Sequence, residues 1–234
     1  MQPDTRLMAQ GQVASTTPAL AQNRVLRNTY MLLALSLLPT ILGAWIGVQM
    51  KFNLFAAVHP AIGIMLFLGI AFGFFYGIEK TKNSGMGVAL LLAFTFFMGL
   101  MLSRLLGMVM NLSNGWNLIM LAFGGTAIVF GAMASIATTT KRDLSGMGKF
   151  LFIGAVMLIV AGFANIFLQI PGLTIAFSVI AIGIFSAFML YDVNRIVTGG
   201  ETNYITATLA LYLDIYNVFS NLLALLGITG GSND

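Results

Sequence analysis

The sequence predicts an all-α integral membrane protein, a bundle of seven transmembrane helices. Of its 234 residues, 59% are hydrophobic and only 8% are charged, whereas a soluble domain carries about 25% charged residues. The hydrophobic residues fall into seven runs, each long enough to cross about 30 Å of hydrocarbon as a helix. Inside lipid a helix is favoured because it satisfies its own backbone hydrogen bonds. A water-soluble enzyme is therefore excluded.

The chain divides into a polar start, a long hydrophobic region and a short end. Residues 1–27 are polar and lack the apolar period of a packed helix, so they are predicted to form a flexible cytoplasmic tail. Residues 28–229 are predicted to form the transmembrane domain, and residues 230–234 a short external C-terminus. The apolar runs predict helices at about 30–48, 58–78, 86–109, 115–138, 149–169, 172–197 and 204–228.

Proline and glycine mark two of the helix boundaries. The stretch 169–172 is the only break between the fifth and sixth runs, and Pro171 suits the first turn of a helix, so a tight hairpin is predicted there. The pair Gly199 and Gly200 predicts the end of the sixth helix. The seventh helix is then predicted to start near Asn203.

Glycine also forms a regular pattern in the second run. Gly69, Gly73 and Gly77 are spaced at i, i+4 and i+8, and ridges of small residues let helix backbones approach closely. A specific helix interface and generic packing both produce this pattern, so both interpretations stay open.

The distribution of lysine and arginine predicts the orientation in the membrane. Nine of the 11 basic residues fall on one side of the predicted topology, Lys51 falls on the other, and Arg104 lies inside the third helix near its outer end. The positive-inside rule then places the N-terminus in the cytoplasm and the C-terminus outside. Because these are loop charges and not one basic face, they do not indicate nucleic-acid binding. The nine are Arg6, Arg24, Arg27, Lys80, Lys82, Lys141, Arg142, Lys149 and Arg195.

Two acidic residues fall well inside predicted helices. Asp192 lies about seven residues, or ~10 Å, from the cytoplasmic end of the sixth helix, and Asp214 lies about eleven residues, or ~16 Å, into the seventh. These helices are antiparallel neighbours joined by a short loop, so the two carboxyl groups could meet. Because burying a carboxylate in lipid costs several kcal/mol, both acids are expected to have a specific role.

Two interpretations of this acid pair stay open. Two carboxylates in a low-dielectric site cannot both ionise cheaply, so the pair should titrate as a unit near neutral pH, and when charged it offers oxygen ligands to calcium. Asp214, Asn217 and Asn221 are spaced at i, i+3 and i+7 and form a polar stripe that should face protein or water. Alternatively, Asp192 pairs with Arg195 while Asp214 hydrogen-bonds neighbouring helices, and both acids are structural.

Catalytic and cofactor-binding residues are scarce. The chain has no cysteine and a single histidine, His59, which excludes thiolate nucleophiles, cysteine-based metal sites and a zinc-protease motif. It also lacks a phosphate-binding loop, and the seventh run has no lysine for a retinal Schiff base. The protein is therefore expected not to be an enzyme and to hold no cofactor beyond a transient calcium ion.

Several short motifs together resemble the Bax inhibitor-1 (transmembrane Bax inhibitor motif) family. The resemblance covers about residues 24–228. A further stretch, Gly199 to Ile205, is more narrowly similar to the proteobacterial YccA branch of that family. The motifs are Gly124-Gly125-Thr126, Lys141 to Ser145, Asn165 to Phe167, Leu190-Tyr191-Asp192 and Leu211 to Asn217.

This resemblance implies an inner-membrane bundle whose central seventh helix is wrapped by the other six. It also implies that Asp192 and Asp214 match the family's di-aspartyl pH sensor, which gates a calcium leak. In leak-type relatives a basic residue at the cytoplasmic end of the second helix latches onto the acids. That position here holds Lys80 beside Glu79, which would weaken such a latch, and Arg195 is a second candidate for it.

The YccA branch implies a different partner. Its members are described as binding and modulating the membrane-anchored AAA protease FtsH, with the cytoplasmic tail as a point of engagement. Residues 1–27 would fill that role in this chain. Calcium leak and protease modulation are not mutually exclusive expectations.

Overall fold

The computed structural model contains seven α-helices in the part of the chain that it describes, residues 5–54, 60–140, 142–168 and 170–230. All seven are long and apolar enough to cross a membrane, which confirms the predicted all-α membrane fold. The helices are α1 (Thr5–Gln49), α2 (Pro60–Thr81), α3 (Gly85–Met110), α4 (Gly115–Thr139), α5 (Met147–Leu168), α6 (Pro171–Thr198) and α7 (Tyr204–Gly230).

Helix α1 begins earlier than the sequence predicted. The apolar pattern placed its start near Tyr30, but the helix runs unbroken from Thr5. The part apolar enough to cross a membrane begins at Leu20, and Val25 and Leu26 already pack against the hydrophobic core. The apolar run marks where a helix enters lipid, whereas a helix can extend beyond the lipid on polar residues.

The two predicted boundary signals are confirmed. Helix α5 ends at Leu168 and α6 begins at Pro171, and Asn165 holds the turn between them: its Oδ1 accepts a hydrogen bond from the Ile170 backbone N–H at 3.1 Å. Helix α6 ends at Thr198 and is capped by Gly199, whose φ of 83° lies in the left-handed region that glycine adopts without strain.

Helix α7 lies at the centre of the bundle. It contacts α1, α2, α3, α4 and α6, and only Ile228 and Thr229 near its end are exposed. Helix α5 packs against α6 alone among the described helices. The expected central seventh helix is therefore confirmed, but five helices surround it instead of six, because α5 sits outside α6.

Of the three glycines in the predicted ridge, only Gly77 lies close to another helix. A Cβ on Gly77 would stand 3.1 Å from the end of the Leu90 side chain on α3, whereas a Cβ on Gly69 or Gly73 would meet no atom of another helix within 4 Å. The tight contact joins α1 and α3: a Cβ on Gly43 would collide with the backbone oxygen of Phe96, and a Cβ on Gly99 with that of Thr40. At these positions glycine lets two backbones touch.

The loops α2–α3, α4–α5 and α6–α7 lie at one end of the bundle, together with the part of α1 before residue 28. Contacts between these segments confirm this, since Asn203 in the α6–α7 loop donates a hydrogen bond to the Lys82 carbonyl oxygen at 2.9 Å. We call this end the basic end. Its described basic residues are Arg6, Arg24, Arg27, Lys80, Lys82, Arg142, Lys149 and Arg195.

Candidate functional site

The structure brings the two intramembrane acids together. Asp192 on α6 and Asp214 on α7 lie within hydrogen-bonding range of each other. The short loop between Gly199 and Asn203 turns α7 back along α6, and this antiparallel arrangement lets the two side chains reach each other between the helices. The prediction that the acids meet inside the bundle agrees with this geometry.

The two carboxyl groups differ in their access to water. Asp214 is 4% exposed, and its Oδ2 atom has no hydrogen-bond partner among the residues that the structure describes. The Asp192 side chain is 12% exposed and lies nearer the basic end. A buried charge without a partner is costly. The site therefore favours a proton shared between the two groups, or a cation held by both.

Arg195 flanks the acid pair on the side of the basic end. Its guanidinium nitrogens lie 3.8 Å from a carboxylate oxygen of Asp192 and 3.8 Å from one of Glu201, and the guanidinium carbon is 5.6 Å from the ring centre of Tyr191. These ion pairs are longer than charge-assisted hydrogen bonds of about 2.7–2.9 Å, and Arg195 is 37% exposed. Both sequence interpretations thus coexist, because Asp192 faces Asp214 on one side and Arg195 on the other.

Lys80, the other predicted latch residue, does not reach the acids. It is exposed, and its Nζ lies 4.8 Å from the ring centre of Tyr76 on the same helix. Ile78 is fully buried, and a residue two positions further along is about 200° around the helix. Lys80 therefore points away from the bundle, while its neighbour Glu79 pairs with Lys82. The basic residue beside the pair is Arg195.

The polar stripe on α7 faces protein but does not bond the acids. Asn217 and Asn221 are half-buried. Each side chain bonds its own helix: Asn217 Nδ2 donates to the Leu213 backbone oxygen, and Asn221 Nδ2 donates to the Asn217 backbone oxygen, both at 2.8 Å. Since the amide nitrogens are used within the helix, the Oδ1 atoms are the groups that could face water or a cation.

Asn194, which the sequence analysis did not single out, pins a loop beside the site. It is 1% exposed, its Nδ2 donates to the Arg142 backbone oxygen at 3.3 Å, and its Oδ1 accepts from the Leu144 backbone N–H at 3.2 Å. Asn194 follows Asp192 by two residues. One buried amide therefore fixes the α4–α5 loop to the helix that carries the acid.

Asn203 is a second asparagine that the sequence analysis left without a role beyond the helix start. Its Oδ1 accepts hydrogen bonds from the backbone N–H groups of Ile205 and Thr206 at 2.9 and 3.3 Å, which caps α7. Its Nδ2 donates to Asn83 Oδ1 at 2.9 Å as well as to the α2–α3 backbone. The preference of asparagine for the N-cap is the signal that could have found it.

The acid pair does not belong to a larger cluster of metal-ligating side chains among the described residues. No group of three or more His, Cys, Asp or Glu side chains in the described ranges could hold a metal ion, and His59 falls outside those ranges. Calcium takes about six to eight oxygen ligands. Two carboxylates alone supply fewer oxygens than that, so a calcium ion held there would keep part of its water shell.

The chain is similar to known proteins over most of its length. The family model described as "Inhibitor of apoptosis-promoting Bax1" matches residues 22–231. The "Modulator of FtsH protease YccA" of Escherichia coli K12 is 37% identical over 211 residues, which cover 90% of this chain and 93% of that relative. The same values apply to the "Inner membrane protein YccA" of E. coli O6:H1. An uncharacterized Pseudomonas aeruginosa protein is 39% identical over 209 residues, covering 89% of this chain and 91% of its own. These names describe a modulator and a membrane protein.

Proposed function

Because this chain belongs to the Bax inhibitor-1 family of multi-span membrane proteins, we propose a function from the chemistry of its acid pair: a pH-sensitive calcium leak gated by Asp192 and Asp214. The observation that supports it is the Asp214 carboxyl group, which is buried at the centre of the bundle, leaves Oδ2 unpartnered among the described residues and faces a second carboxyl group. A purely structural acid would be expected to have both oxygens satisfied.

The gate works through the number of protons that the pair holds. With one proton between them, the two carboxyl groups attract each other and hold α6 against α7. With none, they repel, and the low-dielectric site either separates or takes up a cation. Protonation thus controls both the packing of the helices and the affinity for a hard divalent cation.

Arg195 regulates access to the pair from the basic end, which the positive-inside rule assigns to the cytoplasm. It stands 3.8 Å from both Asp192 and Glu201, so it partly neutralises the carboxyl group that water reaches first. A calcium ion arriving from that end competes with Arg195 for Asp192. Removal of Arg195 should therefore alter the pH response and leave the acid pair itself in place.

The test is calcium release from liposomes that contain the purified protein and a trapped indicator, measured across neutral pH. The wild type is expected to release calcium in a pH-dependent manner, and Asp192→Asn and Asp214→Asn are each expected to abolish the pH dependence. Asp143→Asn is the matched control, because Asp143 is an exposed loop acid whose Oδ1 accepts a hydrogen bond from the Ser145 N–H. The same pH profile in all four proteins would remove the gate assignment.

A second function is favoured by the similarity to the E. coli relative named as a modulator of the FtsH protease. Under this hypothesis the chain binds a membrane-anchored AAA protease through the polar residues that precede the membrane-crossing part of α1. The full chain is expected to co-purify with FtsH, and a chain lacking residues 2–19 is expected not to. Deletion up to residue 27 is a poorer test because Val25 and Leu26 pack against the hydrophobic core. Failure of the full chain to co-purify would eliminate this function.

A further inference from the structure

A row of hydroxyl groups joins α7 to α1 and α3 on the side away from the acid pair. Thr208, Tyr212 and Tyr216 follow one another at intervals of four residues, so they share one face of α7. Tyr212 and Asp214 are two residues apart, which places them about 200° apart around the helix. The hydroxyl row and the acid therefore lie on opposite sides of the same helix.

Tyr212 is the centre of this row. Its side chain is 1% exposed and its ring packs against those of Phe94 and Tyr216, with centroids 6.2 and 6.1 Å away. Its hydroxyl lies 2.9 Å from Thr40 Oγ1 on α1 and 3.4 Å from the backbone oxygen of Thr95 on α3. One tyrosine hydroxyl thus connects three helices.

The partner of Tyr212 belongs to a rigid frame. Thr40 Oγ1 also lies 2.9 Å from the backbone oxygen of Ser36 and 3.2 Å from that of Thr95. The Thr40 backbone oxygen is the atom that a Cβ on Gly99 would strike. Because this contact joins two backbones, no change of side-chain rotamer can relieve it, and the packing of α1 against α3 therefore fixes the position of Thr40. Tyr212 ties the central helix to that place.

The other hydrogen bonds of the row are weaker ties. The Tyr216 hydroxyl donates to the Met98 backbone oxygen at 3.3 Å. Thr208 Oγ1 lies 3.3 Å from the Thr29 backbone oxygen, but its single hydrogen has a closer acceptor in its own helix, the Tyr204 backbone oxygen at 2.6 Å. Among the hydrogen bonds between described residues, only Tyr212 in this row bonds a side chain of another helix as well as a backbone oxygen. Its hydroxyl is therefore the contact best placed to fix the rotation of α7.

We propose that Tyr212 is a positioning residue: its hydroxyl bond to Thr40 sets the rotation of α7 so that Asp214 faces Asp192. This inference rests on the proposed gate. The charged groups that face Asp214 come from the α6 side, namely Asp192 with Arg195 and Glu201 behind it. A small rotation of α7 would withdraw Asp214 from all of them and leave its carboxyl group among apolar side chains.

The first test measures geometry without protons or calcium. The chain contains no cysteine, so an Asp192→Cys/Asp214→Cys variant reports the facing of α6 and α7 through its rate of disulfide formation. Adding Tyr212→Phe keeps the ring and removes the hydroxyl. We expect about fivefold slower disulfide formation, the change in population that one net hydrogen bond supports. Tyr76→Phe, on an exposed residue of α2, is the control and should leave the rate unchanged. If the double-cysteine variant forms its disulfide equally fast with and without Tyr212→Phe, the proposal is overturned.

The second test uses the native acids. Tyr212→Phe and Thr40→Val should each shift the pH midpoint of calcium release from liposomes, whereas Thr40→Ser, which keeps a hydroxyl, should retain the wild-type midpoint. A merely structural role would lower the yield of folded protein without moving a midpoint. If neither the wild type nor any variant releases calcium, the proposed gate is refuted, and the disulfide rates still decide the role of Tyr212. Normal calcium release with unchanged disulfide rates overturns the positioning role alone.

Discussion

The contact between α1 and α3 gives a prediction in which the same substitution has opposite effects at two glycines. At Gly99, a Cβ would strike the backbone oxygen of Thr40 and stand 2.9 Å from the backbone nitrogen of Ala44. At Gly73, no other atom lies within 4 Å of the corresponding position. Gly99→Ala should therefore destabilise the bundle, whereas Gly73→Ala should not.

The magnitude follows from what each new methyl group meets. At Gly99 the obstructing atoms are backbone atoms of a neighbouring helix, so the helices themselves must separate, and overpacking of this kind costs about 1–3 kcal/mol. At Gly73 the methyl group enters open space, and alanine is the better helix former by about 0.5–1 kcal/mol. Because the helix preference of alanine applies at both positions, the two variants should differ by the overpacking cost alone, about 1–3 kcal/mol in their free energy of unfolding.

The assay is unfolding of the purified variants in mixed micelles of mild detergent and increasing SDS, followed by circular dichroism. The Gly99→Ala midpoint should fall below that of the wild type, and the Gly73→Ala midpoint should equal or exceed it. Gly43→Ala, whose Cβ would strike the Phe96 backbone oxygen, should behave like Gly99→Ala. Equal midpoints for Gly99→Ala and Gly73→Ala would refute the close approach of α1 and α3.

Two further predictions concern the basic end. Asn194→Ala removes both hydrogen bonds to the α4–α5 loop and should lower the free energy of unfolding by about 1–3 kcal/mol, since the buried partners lose their bonds. Limited trypsin digestion should then cut faster after Arg142. An unchanged rate of cutting would argue against the role of Asn194 in holding this loop. Lys80→Gln should leave the pH profile of calcium release unchanged because Lys80 points away from the bundle, whereas Arg195→Gln should shift it. A shift caused by Lys80→Gln instead would mean that the latch is on α2.

The features that the sequence predicted correctly are those with local causes. Pro171 cannot continue a preceding helix and suits the start of the next, and Gly199 adopts a left-handed φ that other residues avoid. The meeting of Asp192 and Asp214 was also accessible, because a short loop and the rise per residue fix the depth of each acid. These inferences need no knowledge of the rest of the bundle.

The features that it missed depend on distant partners. The Tyr212 hydroxyl meets a residue 172 positions away, and the amide of Asn194 meets backbone atoms 50 and 52 positions away, which no local pattern indicates. The outward direction of Lys80 was not predictable for a related reason. Helix α2 is apolar on nearly all sides, so hydrophobic periodicity does not reveal which face meets the bundle.

The central claim is that Asp192 and Asp214 hold protons as one unit. The most direct measurement is infrared difference spectroscopy of the reconstituted protein during a pH titration, following the C=O stretch of protonated carboxyl groups. One band that titrates in the wild type, and that either Asp192→Asn or Asp214→Asn removes or moves entirely, is the predicted result. Two independent bands, each lost with only its own aspartate and leaving the other's titration unchanged, would contradict it.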